Sequence, residues 1–107
     1  MFFDSKEYMT AARILLGLVE LEPEQVATRL LLARAYYHSA RLGKAEEQLR
    51  AVVERDPVEA YAHLMLGRTL ERQGRAAEAA THLRIAAAFD GDPFEETAPP
   101  RLGTPKR

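Results

Sequence analysis

The sequence contains no cysteine and no tryptophan, and only 7% of its 107 residues are aromatic. Without cysteine the chain has no disulfide, no thiolate nucleophile and none of the zinc sites that require sulfur. So few aromatic rings also argue against a platform on which nucleic-acid bases stack. The formal net charge is -1, from 15 basic and 16 acidic residues, so the strong positive field typical of nucleic-acid-binding proteins is missing as well.

Long apolar runs are equally scarce. Residues 14–19 form one of the longest, and they are far shorter than the roughly 20 residues that cross a bilayer. The first residues do not combine a basic segment with an apolar core, so no signal peptide is predicted. Together with the lack of cysteine, this composition predicts a cytoplasmic protein that does not associate with membranes.

The sequence does contain a repeat with a period of 34 residues. Small, large and helix-breaking residues return together at this spacing, which chance matches among leucines do not explain. Within each period, apolar residues recur at helical spacing in two segments separated by a Gly-containing break. The matching positions are Ala11, Ala45 and Ala79; Leu15, Leu49 and Leu83; Leu18, Val52 and Ala86; Leu30 and Leu64; Leu32 and Leu66; Arg34 and Arg68; and Pro23 and Pro57.

The pattern predicts an all-α fold of about five helices within residues 1–91. The first helix is expected over residues 5–21, with Asp4 and Glu7 as a capping box at its start. Two helix pairs are expected in residues 24–56 and 58–90. The segment 92–107 is rich in proline and is predicted to be a flexible tail, unless Phe94 anchors its start on the last helix as a cap.

These two-helix units resemble the tetratricopeptide repeat family. That family places a large, a small and an aromatic residue in the first helix of a unit, and a small, a large and a small residue in the second, before a proline. The middle unit follows this order with Leu32, Ala33, Tyr36, Ala45, Leu49, Val52 and Pro57, and the third with Leu66, Gly67, Leu70, Ala79, Leu83 and Ala86. The first unit keeps only its second helix. The resemblance implies about two and a half repeats, each an antiparallel helix-turn-helix pair, stacked as a short right-handed α-solenoid.

The resemblance also implies a function, because the first helices of the units in this family line a concave face that binds peptides. It implies a non-catalytic interaction module, here for a protein or peptide that combines carboxylates with apolar groups. Alternatively, the recurring Arg34 and Arg68 only keep an exposed face in solvent. The residues that the resemblance places on the concave face are Leu30, Leu31, Arg34, Tyr37, His38, Tyr61, Leu64, Met65, Arg68, Glu71 and Arg72.

An array that begins with the second helix of a unit is expected to leave one side of that helix bare. The apolar residues expected there are Phe2, Phe3, Tyr8, Ile14 and Leu18. They favour the alternative function of a self-assembling module, in the simplest case a homodimer, that associates through the open ends of the array. In the other interpretation, Phe2 and Phe3 fold back and cover the gap themselves.

No pattern of catalytic or metal-binding residues emerges. His38, His63 and His82 lie in three different predicted helices without the spacing of metal ligands, so surface or half-buried helix positions explain them. Neither Ser5 nor Ser39 lies in a nucleophile motif. We therefore expect no enzyme activity, no cofactor and no metal. Nucleic-acid binding through a short stripe of arginines is a third hypothesis, and the net charge argues against it.

Overall fold

The computed structural model describes residues 4–90, which form five consecutive helices and no strand. Phe2, Phe3 and the segment 92–107 with Phe94 lie outside the described residues, so the predictions made for them stay predictions. The helices are α1 (Ser5–Leu21), α2 (Val26–His38), α3 (Leu42–Arg55), α4 (Ala60–Arg72) and α5 (Ala76–Asp90). The all-α fold predicted from the sequence is confirmed.

A capping box starts α1. The Asp4 carboxylate accepts a hydrogen bond from the Glu7 backbone N–H at 2.9 Å, and the Glu7 carboxylate accepts one from the Asp4 backbone N–H at 3.0 Å. Side chains thus satisfy two backbone donors that would otherwise lack a partner at the helix end. This part of the prediction is confirmed, and it explains why α1 begins at Ser5.

The turns inside the two helix pairs occupy equivalent positions of the repeat. Ala40 and Gly74 both adopt a positive φ, of 62° and 79°. In each turn the next backbone N–H, that of Arg41 or Arg75, donates to a carbonyl oxygen five residues earlier, at 2.8 and 2.9 Å. This hydrogen-bond pattern closes a helix through a left-handed residue. The chain therefore reverses at the same point of each unit.

The core lies between helices that follow each other in the chain. Each helix packs mainly on its chain neighbours, and α2 also contacts α4. One core cluster contains Ala12, Val19, Leu32, Ala35, Tyr36 and Ala45, from α1 to α3. The other contains Ala33, Leu49, Met65, Leu66, Leu70 and Ala79, from α2 to α5. The half-buried Tyr37 packs against both clusters and so connects the front of the array with the back.

The close approach of α4 and α5 depends on Gly67. A Cβ atom at this position would lie 2.5 Å from Leu83 Cδ2 and 3.3 Å from the Ala79 carbonyl oxygen. In α2 the equivalent residue is Ala33, which is fully buried. The small residue of each first helix therefore sets the distance to the second helix.

Candidate functional site

The predicted binding residues lie on α2 and α4, which contact each other. We term the exposed sides of these two helices the inner face. Leu30 and Tyr37 are half-buried there because they also pack on the second core cluster. The exposed residues of the inner face are Ala27, Leu31, Arg34, His38, Tyr61, Arg68, Glu71 and Arg72.

Met65 requires a correction, because it does not lie on the inner face. Its side chain is 8% exposed and belongs to the second core cluster. The reason is that α4 is contacted by α2, α3 and α5, so neighbouring helices cover most of its circumference. Met65 is therefore a core residue rather than a residue of the inner face.

A row of contacts between aromatic rings and a guanidinium group crosses the inner face from α1 to α4. Tyr8 of α1 stacks on His38 with ring centroids 4.8 Å apart, and His38 meets the Tyr37 ring edge-on at 5.4 Å. The Arg72 guanidinium carbon lies 4.7 Å from the centroid of the Tyr37 ring, and Arg72 donates a hydrogen bond to the Tyr37 carbonyl oxygen at 3.1 Å. The structure thus joins Tyr8, predicted for self-association, to three residues predicted for partner binding.

The three arginines of the inner face have different surroundings. Arg68 forms an ion pair with Glu71 of its own helix at 3.0 Å, and Arg72 is held by Tyr37. Arg34 forms no hydrogen bond or ion pair within residues 4–90. The cause is local, since the residue three positions after Arg34 is Tyr37 and not an acid. Within this part of the chain, Arg34 is the inner-face arginine that remains available for a ligand carboxylate.

Arg34 borders a groove of about 240 Å³ between α1 and α2. Its lining is largely apolar and also includes cationic and aromatic groups. The lining residues are Tyr8, Ala11 and Leu15 of α1, and Leu31, Arg34, Ala35 and His38 of α2. We term this surface the α1–α2 groove. A wider depression of about 570 Å³ runs along α1 and shares Ala11 with the groove.

The predicted bare side of α1 is exposed as far as the described residues show it. Ile14 is 64% exposed and Leu18 is 48% exposed, whereas Tyr8 is half-buried. Leu21, which is 78% exposed, continues this stripe and was not predicted. Its helical spacing from Leu18 was the signal that could have identified it.

The sequence also did not predict a contact between His63 of α4 and His82 of α5. Their rings stack, their Nδ1 atoms are 3.1 Å apart, and His63 Nε2 lies 2.8 Å from the Pro57 carbonyl oxygen. His63 is buried and His82 is half-buried. Burial, the neighbouring His63 and the charge of Arg50 lower the pKa of His82.

Two further observations apply to residues 4–90. No group of three or more His, Asp or Glu side chains in this range is arranged to hold a metal ion. None of the five helices is both long enough and apolar enough to cross a membrane.

Comparison with known families decides the identity of the repeat. The family profile described as "Tetratricopeptide repeat" matches residues 30–93. The chain belongs to the tetratricopeptide repeat family. The resemblance found in the repeated residues is therefore confirmed. A comparison with curated protein sequences finds no match.

Solved structures of MamA have the same fold as this tetratricopeptide repeat chain. A mutant of MamA has a TM-score of 0.76 and 25% identity, covering 79% of this chain and 62% of the other. MamA 41-end from Desulfovibrio magneticus RS-1 has a TM-score of 0.75 and 28% identity, covering 79% and 48%. MamA AMB-1 has a TM-score of 0.76 and 24% identity, covering 95% and 53%. The chain thus spans 48% to 62% of the length of these structures.

Proposed function

We propose that this tetratricopeptide repeat chain is a non-catalytic adaptor that binds a peptide or partner protein on its inner face. The observation that carries the proposal is the continuous surface of α2 and α4, in which Arg72 contacts both the ring and the carbonyl oxygen of Tyr37. Membership of the family supports a protein-interaction module in general. On the absence of cysteine we further propose a cytoplasmic location.

The chemistry of the inner face favours a partner with both carboxylates and apolar side chains. Arg34 supplies a guanidinium group that can pair with a carboxylate through two hydrogen bonds, and Arg68 and Arg72 add positive charge while they contact Glu71 and Tyr37. Tyr37 and Tyr61 supply aromatic surface, and tyrosine and arginine are enriched among the residues that dominate binding energies. Because Tyr37 already holds Arg72, binding there costs less side-chain entropy than ordering a free arginine.

The test is fluorescence anisotropy with labelled peptides that combine Asp or Glu with Leu or Phe. Arg34→Ala/Arg68→Ala is expected to weaken binding at least roughly tenfold, the effect of losing about 1.4 kcal/mol. The matched control is Arg13→Ala/Arg84→Ala, which removes the same charge from exposed positions outside the inner face. An equal loss in both double variants would contradict the proposal, because it would show attraction by net charge alone.

Self-assembly is the second candidate function, and the exposed stripe of Ile14, Leu18 and Leu21 favours it. Apolar side chains repeated along one helix side bury their surface when two copies associate. Sedimentation velocity over a range of protein concentrations tests this candidate. A dimer that Leu21→Glu converts to a monomer would support it, and a monomer at every concentration would exclude it.

A further inference from the structure

α1 and α3 are equivalent second helices of the repeat, but the described residues cover them differently. Three residues of α3 are fully buried: Ala45, Leu49 and Val52. Ala45 belongs to the same core cluster as Leu32 of α2, and Leu49 to the same cluster as Ala33. The equivalent positions of α1 are only half-buried or, at Leu18, 48% exposed. The pairs are Ala11 with Ala45, Leu15 with Leu49, and Leu18 with Val52. In residues 4–90 no helix takes the place on α1 that α2 takes on α3.

The other wall of the α1–α2 groove shows the same difference. Leu31 of α2 is equivalent to Met65 of α4. Met65 is 8% exposed, and α2 lies beside α4, whereas Leu31 is 49% exposed and lines the groove. Both walls of the groove therefore expose apolar residues whose equivalents, 34 positions later in the chain, are buried beside α2.

We infer that the α1–α2 groove binds a single amphipathic helix of a partner protein. The helix lies on α1 and beside α2, as α2 lies on α3 and beside α4. This inference rests on the proposed function, since it names the kind of partner. The groove shares Leu31, Arg34 and His38 with the inner face and adds residues of α1. Docking of an amphipathic helix in an apolar groove is an established mode of recognition.

The side chains of α1 specify how the bound helix differs from α2. Two polar contacts hold α2 and the turn before it to α3. In α1, apolar residues occupy the positions of the two α3 partners. The contacts are Arg29 with Gln48 at 2.8 Å and Arg55 with Glu24, and the replacements are Ile14 for Gln48 and Leu21 for Arg55. The bound helix therefore carries apolar side chains at the positions of Arg29 and Glu24, because a charge opposite Ile14 or Leu21 would lose its partner.

Charge complementarity fixes one further position of the bound helix. Arg34 is equivalent to Arg68, and Arg68 lies one turn before Arg72, which contacts Tyr37 of the preceding first helix. The bound helix has a position that corresponds to Tyr37 of α2. The residue one turn before that position therefore lies near Arg34. Because Arg34 has no counter-ion within residues 4–90, a carboxylate at that place forms the missing ion pair.

The probe is a fluorescein-labelled peptide with the sequence of residues 24–40 that carries Glu24→Leu, Arg29→Leu and Arg34→Glu. It keeps the large, small and aromatic pattern of α2, and it adds two apolar edge residues and the carboxylate. A control peptide carries Leu32→Glu in addition and so loses the central apolar residue. We expect saturable binding of the probe by anisotropy, a gain of helical circular dichroism on mixing, and binding at least roughly tenfold weaker for the control peptide.

Protein variants locate the binding site. Leu18→Glu and Arg34→Ala are expected to weaken probe binding at least roughly tenfold, because the first buries a charge and the second removes the ion pair. Val58→Glu is the matched control, since Val58 is 60% exposed and lies between α3 and α4, whereas Leu18 lies on α1 about one turn after the groove residue Leu15. Arg68→Ala/Arg72→Ala is expected to leave probe binding unchanged.

Three results would overturn the inference. The first is the absence of saturable probe binding. This result would not contradict the proposed function, which is tested with different peptides. Binding that Arg68→Ala/Arg72→Ala abolishes and Leu18→Glu does not is the second, and it assigns the helix to the inner face instead. A dimer that Leu18→Glu dissociates, with no binding of the probe, is the third, and it assigns the groove to a second copy of this chain.

Discussion

His63 and His82 form a hydrogen bond that joins α4 to α5. His63 Nε2 lies 2.8 Å from the Pro57 carbonyl oxygen, which only accepts, so this nitrogen carries the proton. His63 Nδ1 is then an acceptor, and the His82 Nδ1–H donates to it over 3.1 Å.

Stability is expected to fall on mild acidification. Burial, His63 and Arg50 lower the pKa of His82 below its usual value of 6.5, and Glu78 opposes them. As the pH falls below about 6.5, the unfolded chain therefore binds more protons than the folded chain. The free energy of unfolding decreases as the pH falls from 6.5 to the lowered pKa of His82. Urea unfolding at about pH 7.5 and about pH 5.5 measures the effect, with a lower midpoint expected at the acidic pH.

The carboxylates titrate in a lower pH window. Burial would raise the pKa of Glu46, but hydrogen bonds from Arg50 and Arg75 outweigh it and lower this pKa below 4.5. Hydrogen bonds from the same arginines lower the pKa of Glu78. The stability that these groups add is present above pH 4.5 and is lost only as the pH falls through their lowered values.

A His82→Gln variant that loses the same stability between about pH 7.5 and about pH 5.5 would contradict the assignment to His82.

Gly67→Ala is expected to destabilise the fold by about 1–3 kcal/mol, the usual cost of overpacking. The added methyl group would lie 2.5 Å from Leu83 Cδ2. Gly43→Ala is the matched control, because nothing lies within 4 Å of its Cβ position. This change in α3 is expected to stabilise by about 0.5–1 kcal/mol, the difference in helix entropy. Equal effects of both changes in thermal unfolding would refute the role of the close helix contact.

The two equivalent turns predict opposite effects of exchanging alanine and glycine. Ala40 has φ 62°, which costs an L-residue about 1–2 kcal/mol, whereas Gly74 adopts φ 79° without that cost. Ala40→Gly is therefore expected to stabilise by about 0.5–1 kcal/mol after the larger entropy loss of glycine, and Gly74→Ala to destabilise by a similar amount. Urea unfolding of both variants checks the signs. Destabilisation by Ala40→Gly would show that the left-handed turn is not strained.

A network of four charged residues ties α3 to α5. Arg75 contacts Glu46 and Glu78 at 2.9 Å, and Arg50 contacts them at 2.8 and 2.7 Å. Glu46 is the most buried member, with a side chain 16% exposed. Glu46→Gln is expected to lower the free energy of unfolding by about 1 kcal/mol, because two charged hydrogen bonds weaken.

Glu54→Gln is the control for this network, since Glu54 is exposed on the same helix. Its expected change in stability is close to zero. The difference between the two variants should shrink in urea unfolding at about 1 M salt, where exposed charges are screened. A difference that salt does not change would point to lost packing rather than lost charge.

The repeat allowed the fold, and the exposure of residues such as Arg34 and Arg68, to be predicted from the sequence. Ala33 and Gly67 recur 34 positions apart because each lies where two helices meet, so one spacing encodes the same contact twice. Arg34 and Arg68 were placed on one exposed side for the same reason. Spacing along a single helix is sufficient for assignments of this kind.

Contacts between helices could not be predicted in this way. Arg72 and Tyr37 are 35 positions apart, and their contact depends on how α4 is rotated against α2. The pairing of His63 with His82 depends on the rotation of α5 as well. Met65 was misplaced because the helical pattern of α4 does not reveal that three other helices surround it.

The uneven burial along the array has a consequence for its local opening. α1 contributes two buried residues and packs chiefly on α2, whereas α4 contributes seven. In a repeat protein the stability of each helix comes from its nearest neighbours, so α1 opens more readily than the centre. Its amide hydrogens are expected to exchange with solvent faster than those of α4. A helix bound in the α1–α2 groove would slow that exchange, and part of its binding free energy would be spent on keeping α1 closed.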